Sequence, residues 1–356
     1  MKLFNIDLHI SVIADMKKIF TELGHEVDDL SLSDHTWVFN RKKDSVPMLD
    51  GGKWMGLSTE QFSNNFYNEY KEKLKDYDAF IVTYPPPFSL LYDKFEKPII
   101  INIPIRYEWP FSFKGQEWKK FNDYLKDGVD SGKITLVANN LFDKFYTEQF
   151  IDREVQHIPS ICDYNNEYYK PNDNHLVYYS RTKIPNIDHN KIKWKNDVLQ
   201  NYQYSDLTKL GGIVHFPYAM SLMSIFEQYT SNIPLFFPTE QFMLTLYQAK
   251  FGGIMGESSF NLIHNQPNKS SVLPLHGLDL NDYKDIKAVK KWIELADFYD
   301  EEWMPHINYF SSFKELNNMV KDINTNEISK NMELFNVERK TKIYDLWDNL
   351  IKNIQQ

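Results

Sequence analysis

The sequence of 356 residues lacks features on which several classes of protein depend. It contains a single cysteine, Cys162, so no disulfide can form within the chain, which is typical of a reducing compartment. No run of about 18 apolar residues predicts a membrane-spanning helix. Asp7 interrupts the apolar core that a leader sequence would need. We therefore expect a cytoplasmic protein whose contact with a membrane, if it has one, is peripheral.

Several motifs for metals, phosphates and nucleophiles are also missing. The sequence has no H-E-x-x-H or C-x-x-C motif, which would indicate zinc. The absence of G-x-x-x-x-G-K-[ST] and G-x-S-x-G removes the usual kinase and esterase interpretations. A formal net charge of −9 without a basic stripe argues against a nucleic-acid partner. We therefore expect no metal site and no binding of nucleic acid.

Short apolar runs alternate with amphipathic segments, which is the pattern of parallel α/β folds. Hydrophobic residues make up 42% of the chain and aromatic residues 15%, enough for the cores of two domains. Glu26 opens one predicted strand, and further strands are predicted at 77–83, 98–104, 133–139, 155–159, 175–179, 212–216, 233–237 and 307–310. Helices are predicted at 13–24, 116–126, 141–149, 220–229, 242–250, 288–299, 313–323 and 327–354.

These elements predict two doubly wound, Rossmann-like domains. The polar segment 163–174 is the predicted linker, and 252–274 is a predicted long loop. The domains are placed at 1–165 and 170–335, with a last helix, 340–356, that returns to the first domain. Ligands of open parallel sheets bind beyond the carboxyl ends of the strands. We therefore expect these edges of the two domains to face each other, with the donor of a transferred group bound on one and its acceptor on the other.

The segment 211–238 carries the strongest chemical signal, because a strand there runs into a helix that starts near Ser221. Unpaired amides at such a start bind anions. Glu227, farther along this helix, can accept hydrogen bonds from ribose hydroxyls, or is a solvated helix residue. His215 either lines the site or is packed in its strand. The remaining residues predicted to bind here are Pro217, Tyr218, Ala219, Met220, Leu222 and Met223.

Cationic residues follow the first strand of the second domain. Ser180, Arg181 and Lys183 stand at its carboxyl end, where Arg grips phosphate with a bidentate fork and Lys acts as a point charge. The alternative is that both cations are exposed loop charges. Lys191 and Lys193 are the next candidates for the lysine.

Four residues of the first domain are further candidates. His9 and Ser11 lie in a loop without glycine and can donate hydrogen bonds to a ligand, although His9 can equally be structural. Arg106 and Glu108 follow a predicted strand. They either face the ligand, where Glu108 could accept a proton, or form a surface ion pair.

The order of these motifs resembles the retaining glycosyltransferases of family 4, which have the GT-B fold. In the run 226–238, Glu227 resembles the family's second acid and Asn232 stands for its glycine, before the strand at 233–237. Ala219 stands where the family has its first acid. The segment 24–27 (GHEV) is similar to the end of the family's first helix. The sequence also looks like members encoded by large DNA viruses of algae, such as chlorella viruses.

This resemblance implies a metal-independent, retaining transfer of a hexose. The donor would be a nucleotide sugar, GDP-mannose first and a UDP-hexose second, and the acceptor a glycan or glycoprotein. Arg181, Lys183 and Glu227 would be the catalytic residues, with no resident cofactor. The sequence leaves the oligomeric state open, with a homodimer as one alternative. The alternatives are a two-lobed module that binds sugars or nucleotide sugars without catalysis, and a GT-B-fold nucleotide-sugar epimerase.

Overall fold

The computed structural model describes residues 1–172, 175–188, 190–200, 202–267 and 269–355. Within this part, contacts divide the chain into two compact units. Unit 1 comprises Met1–Ser160, Lys269–Asp279 and the residues from Ile343 on, and unit 2 comprises Ile161–Asn268 and Leu280–Lys342. The predicted linker contains neither helix nor strand where it is described. Four residues of predicted segments lie outside the described residues: Asp173 and Asn174 of the linker, Asn268 of the long loop and Gln356 of the last helix.

Unit 1 is built on a parallel sheet with the strand order β2-β1-β3-β4-β5-β6. Its strands are β1 (Lys2–Asp7), β2 (Glu26–Ser31), β3 (Ala79–Val82), β4 (Ile99–Ile103), β5 (Ile134–Ala138) and β6 (Gln156–His157). Its first helices are α1 (Ile10–Glu22), α2 (Thr59–Leu74), α3 (Gly115–Asp130) and α4 (Leu141–Ile151). Every residue of β3 and β4 is buried, as expected for central strands covered on both faces.

Unit 2 is built on a second parallel sheet, with the order β11-β10-β9-β7-β8. Its strands are β7 (Leu176–Tyr179), β8 (Ile192–Trp194), β9 (Gly212–His215), β10 (Leu235–Pro238) and β11 (Asn308–Phe310). The remaining helices are α5 (Lys195–Val198), α6 (Tyr204–Leu207), α7 (Met223–Thr230), α8 (Glu240–Gln248), α9 (Phe260–Ile263), α10 (Ile286–Glu294), α11 (Phe313–Asp322) and α12 (Thr325–Ile354). Short 3-10 helices lie at Thr36–Phe39, Asp50–Gly56, Pro86–Phe95 and Asp297–Tyr299.

The predicted α/β class with two parallel sheets is confirmed, and several element bounds need correction. Helix α1 begins at Ile10 rather than at 13, and α7 begins at Met223 rather than at 220. Helix α10 ends at Glu294, and a separate 3-10 helix covers Asp297–Tyr299 within the predicted span 288–299. Strands β1 and β8 and helix α2 were not predicted. In the described part of the chain, no helix is long and apolar enough to cross a membrane.

Both sheets reverse their strand order at one position. In unit 1 the reversal lies between β1 and β3, and in unit 2 between β7 and β9. The connections leave in opposite directions there, which opens a crevice at the carboxyl ends of the two strands. Each unit therefore has one preferred position for a ligand.

Candidate functional site

The crevice of unit 2 is framed by two paired strand ends. Tyr179, the last residue of β7, pairs in register with His215, the last residue of β9. The segments 180–183 and 216–222, which contain most of the predicted ligand-binding residues, leave the sheet at these two ends. The fold thus brings together two predicted segments that are more than thirty residues apart in the sequence.

The segment before α7 is not helical because three of its carbonyls are bound by other segments of unit 2. The amide of Met255 donates to the carbonyl of Pro217 (2.9 Å), and the amide of Glu257 donates to the carbonyl of Tyr218 (2.8 Å). The carbonyl of Met220 accepts from the amide of Asp297 (3.3 Å). Carbonyls that are bound in this way are not available to a helix, so α7 starts later than its apolar spacing suggests.

Helix α7 begins without a side-chain cap. The residue before the helix is Leu222, whose apolar side chain cannot accept a hydrogen bond from the first turn. Its carbonyl is used by the amide of Ile225 at 2.9 Å. The helix dipole favours an anion at this position. The helix start that the sequence predicted near Ser221 lies at Met223.

Arg181 is held beside this segment by three groups. Its guanidinium forms an ion pair with Glu257 and lies 4.6 Å from the ring centroid of Tyr218. Gly252 and Gly253 adopt left-handed backbone angles (φ 61° and 74°), and a Cβ at Gly253 would lie 3.2 Å from Cδ of Arg181. The side chain is 51% exposed, so its fork remains accessible to a ligand. Arg181 is thus exposed, as the alternative interpretation held, but it is also fixed.

Lys183 makes a different contact from Arg181. Its ammonium lies 2.6 Å from the carboxylate of Asp197, and both side chains are about half exposed. The hydrogen bond to Asp197 raises the pKa of Lys183. Such an exposed ion pair contributes little to stability, so replacing Asp197 by a more highly charged anion costs little.

Lys195 is a cation that the sequence interpretation missed. Its ammonium lies 4.8 Å from the ring centroid of Tyr179 and 5.0 Å from that of Tyr202, at the carboxyl end of β8. Among the described residues this ammonium group forms no hydrogen bond and no ion pair. Lys193, one of the two second candidates, lies within β8, opposite Val177. Arg181 was selected because it follows the carboxyl end of a predicted strand. If β8 had been predicted, the same rule would have selected Lys195.

Glu227 is buried and bound by tyrosines. Its Oε1 accepts hydrogen bonds from the hydroxyls of Tyr204 (2.9 Å) and Tyr164. Burial, followed by the nearby charge of Glu227, raises the pKa of both tyrosines, so they stay protonated and continue to donate. The alternative of a solvated helix residue is wrong, because only 9% of Glu227 is exposed.

The end of α7 is fixed by helix α12. Asn232 has a φ of 60°, the left-handed conformation that glycine favours, at the position where the resembling family has glycine. The side-chain amide of Asn336 donates to the carbonyl of Tyr229 (2.9 Å) and to the side-chain oxygen of Asn232 (2.7 Å). The buried Arg339 donates to the hydroxyl of Thr230 at 3.1 Å. These bonds hold the helix that carries Glu227.

We expect the Tyr204→Phe substitution to destabilise unit 2 by about 2 kcal/mol, because it removes a hydrogen bond to a buried carboxylate. Urea unfolding measures the change. Tyr168→Phe is the matched control, since the Tyr168 hydroxyl donates to Asp163 (3.2 Å) but the residue is 53% exposed. If the two substitutions cost the same, the tyrosine bonds do not fix Glu227.

His215 is a packed histidine. It is 2% exposed, its Nε2 lies 2.6 Å from Oε1 of Gln228, and its ring stacks on Phe237 at 4.9 Å. Burial lowers the pKa of His215 to about 4, so the imidazole is neutral near pH 7. Of the two interpretations of His215, the structure favours the packed one.

His9 and Ser11 belong to unit 1. The backbone amide of His9 donates to the carboxylate of Asp7, which also accepts a hydrogen bond from the hydroxyl of Thr83. Burial raises the pKa of Asp7 and lowers that of His9. Ser11 lies in the first turn of α1. These residues lie at the end of β1, at the strand reversal of unit 1.

Arg106 and Glu108 are buried in unit 1. Glu108 has no exposed surface and Arg106 is 4% exposed, so the prediction of a surface ion pair is wrong. Oε1 of Glu108 accepts hydrogen bonds from Tyr146 (3.0 Å) and Ser112 (3.1 Å). Burial raises the pKa of Glu108 to about 7. Across the described residues there is no group of three or more His, Cys, Asp or Glu side chains that could hold a metal ion.

Comparisons with known proteins show distant likenesses. No protein-family model matches the chain, and no curated protein matches its sequence. Among solved structures, the glycotransferase of kitacinnamycin is 11% identical with a TM-score of 0.45, covering 99% of this chain and 98% of its own. The glycosyltransferase SnogD from Streptomyces nogalater is 11% identical with a TM-score of 0.40 (83% and 95%). A putative UDP-N-acetylglucosamine 2-epimerase from Listeria monocytogenes is 11% identical with a TM-score of 0.42 (85% and 93%).

Proposed function

We propose that the chain is a glycosyltransferase that binds the diphosphate of a nucleotide sugar at the carboxyl edge of β7 and β9. One observation carries the proposal: the guanidinium of Arg181, the ammonium of Lys195 and the amino end of α7 all lie at or beside the strand reversal of unit 2. A fork, a point charge and the positive end of a helix dipole are complementary to a pyrophosphate.

Arg181 is held by a carboxylate that a diphosphate would replace. Glu257 is its ion-pair partner, and that pair is partly exposed. A diphosphate offers the guanidinium a second pair of acceptor oxygens and more charge than one carboxylate. We infer that donor binding moves Arg181 from Glu257 to the phosphates.

The same cations would assist departure of the nucleoside diphosphate. Negative charge develops on the leaving phosphate in the transition state, and fixed cations stabilise it. In the retaining, metal-independent mechanism of the resembling family, the leaving phosphate itself deprotonates the incoming hydroxyl. Arg181 and Lys195, with Lys183 nearby, would stabilise the phosphate charge, and Glu227 would bind the nucleoside ribose once a tyrosine releases it.

The resemblance also supports finer assignments. We propose membership of glycosyltransferase family 4, GDP-mannose as the first donor to test with a UDP-hexose as the second, and a glycan or glycoprotein as acceptor. An origin in a large DNA virus and a cytoplasmic location belong to the same proposal.

Calorimetry with GDP, UDP, their sugar conjugates and free mannose tests this proposal, followed by transfer of labelled sugar to glycan acceptors. We expect binding of a nucleoside diphosphate and of its sugar conjugate, and labelled product. Binding of free mannose without any nucleotide would support a sugar-binding module instead. Inversion at a sugar carbon without an acceptor would identify an epimerase.

A further inference from the structure

Unit 1 contains a groove that the proposed function does not use. It has a volume of about 450 Å³ and lies between helix α3 and the segment 271–275. Two bonds fix this segment: the Ser271 hydroxyl donates to the carbonyl of Ser112 (2.5 Å), and the amide of Leu275 donates to the carbonyl of Gln149 (2.8 Å). The groove is therefore a defined feature of the fold.

A buried amide provides the groove with a fixed donor. Trp118 donates its indole N–H to the hydroxyl of Tyr107 (2.8 Å), so that hydroxyl must use its own proton on the side-chain oxygen of Asn122 (2.6 Å). The carbonyl end of Asn122 is thus occupied, and its NH₂ is the end left for a ligand. Asn122 lines the groove and is 6% exposed.

Two lysines give the groove a positive charge. Lys119 and Lys126 line it from α3, and in the described part of the chain neither ammonium group forms a hydrogen bond or an ion pair. Asp123 lies between them on the same helix and is the single acidic residue that lines the groove among the residues described. Two ammonium groups against one carboxylate leave a net charge that suits an anion.

The rest of the groove is apolar. Phe150, 1% exposed, lines it, and Leu273 and Leu275, each 59% exposed, stand beside it. Leu273 and Leu275 stand two positions apart on the same segment, and an exposed apolar patch of this kind is typical of a ligand-binding groove. The groove thus combines donors and cations with an apolar wall.

We propose that this groove binds a soluble, single-chain amphipathic anion, such as an alkyl phosphate or alkyl carboxylate. The head group lies on Lys119, Lys126 and the amide of Asn122, and the alkyl chain lies along Phe150, Leu273 and Leu275. The volume is within the range of sites for small ligands. Binding in this groove is independent of the glycosyl transfer proposed for unit 2.

Titration calorimetry of the full chain with butyl, hexyl and octyl phosphate, each below its micelle concentration, tests the proposal. We expect each added methylene to strengthen binding by up to about fourfold, because each buried methylene leaves water. The double substitution Lys119→Ala and Lys126→Ala should weaken octyl phosphate binding about tenfold. Lys120→Ala is the matched control, since Lys120 lies on the same helix, pairs with Glu117 (3.1 Å) and does not line the groove.

Three results would overturn the inference. Inorganic phosphate that binds as tightly as octyl phosphate would show that the alkyl chain contributes nothing. Equal weakening by Lys120→Ala would show a diffuse charge effect. Full octyl phosphate binding by a folded Leu273→Asp variant would place the chain elsewhere.

Discussion

Replacing Arg181 by alanine is expected to weaken binding of the donor diphosphate about a hundredfold, which corresponds to about 3 kcal/mol. The substitution removes the one forked donor of the proposed site. It should leave the fold intact, because Arg181 is half exposed and its ion pair with Glu257 is partly solvated. Calorimetry with the nucleoside diphosphate that binds the parent chain measures the loss, and urea unfolding checks the fold.

Two further variants make this result specific. Glu257→Gln should strengthen binding a few fold, because it removes the carboxylate that competes with the phosphates for Arg181. Arg153→Ala is the control, since Arg153 also forms an exposed ion pair, with Asp130 (2.6 Å), but in unit 1. Unchanged affinity in the Arg181→Ala variant would refute the phosphate assignment. Weaker binding in Glu257→Gln would mean that Glu257 contacts the ligand itself.

The sheets could be predicted from the sequence where strands are continuous apolar runs. Strands β3 and β4 are buried throughout and stand out for that reason. Strand β1 does not, because Asn5 and Asp7 interrupt its apolar residues. Both are buried because they find partners: Asn5 donates to the carbonyl of Ile81 (2.8 Å), and Asp7 accepts from Thr83. Such long-range bonds cannot be deduced from one sequence.

Helix α2 was missed although its signals are in the sequence. Ser58 and Gln61 form a reciprocal capping box at its start. Phe62, Phe66 and Tyr70 follow at a spacing of four and form its buried face. Strand β8 is harder to predict, since it spans only Ile192–Trp194 and includes a lysine.

The candidate site was predictable in its position and not in its contacts. The rule that loops after parallel strands bind ligands selected Arg181 and the segment before α7 without a structure. Its partner Glu257 comes from a distant loop, and that contact depends on two glycines with left-handed backbone angles. The two tyrosines that donate to Glu227 are Tyr164 and Tyr204, the first residue of α6. No local sequence pattern indicates either contact.

The second large effect concerns Glu108. Burial raises the pKa of its carboxyl from 4.5 to about 7. A carboxyl whose pKa is higher in the folded state contributes stability that is full below pH 4.5 and is lost as the pH rises through 7. Glu108→Gln cannot ionise, and its side-chain oxygen can still accept from Tyr146 and Ser112. At pH 8 this variant should therefore be about 3 kcal/mol more stable than the parent, and the difference should disappear near pH 4.5.

Urea unfolding of both proteins from pH 4.5 to 8 measures this difference, with Glu117→Gln as a control of opposite sign. The pKa of Glu117 is lowered, since hydrogen bonds from the Thr59 amide and Lys120 outweigh its desolvation. The Glu117→Gln variant should therefore be less stable than the parent at pH 8, and this difference should shrink only as the pH falls through 4.5. A Glu108→Gln variant that is less stable than the parent at pH 8 would show that Glu108 is ionised. In that case the charge of Arg106, which opposes the effect of burial, would stabilise the carboxylate enough to keep it charged in the core of unit 1.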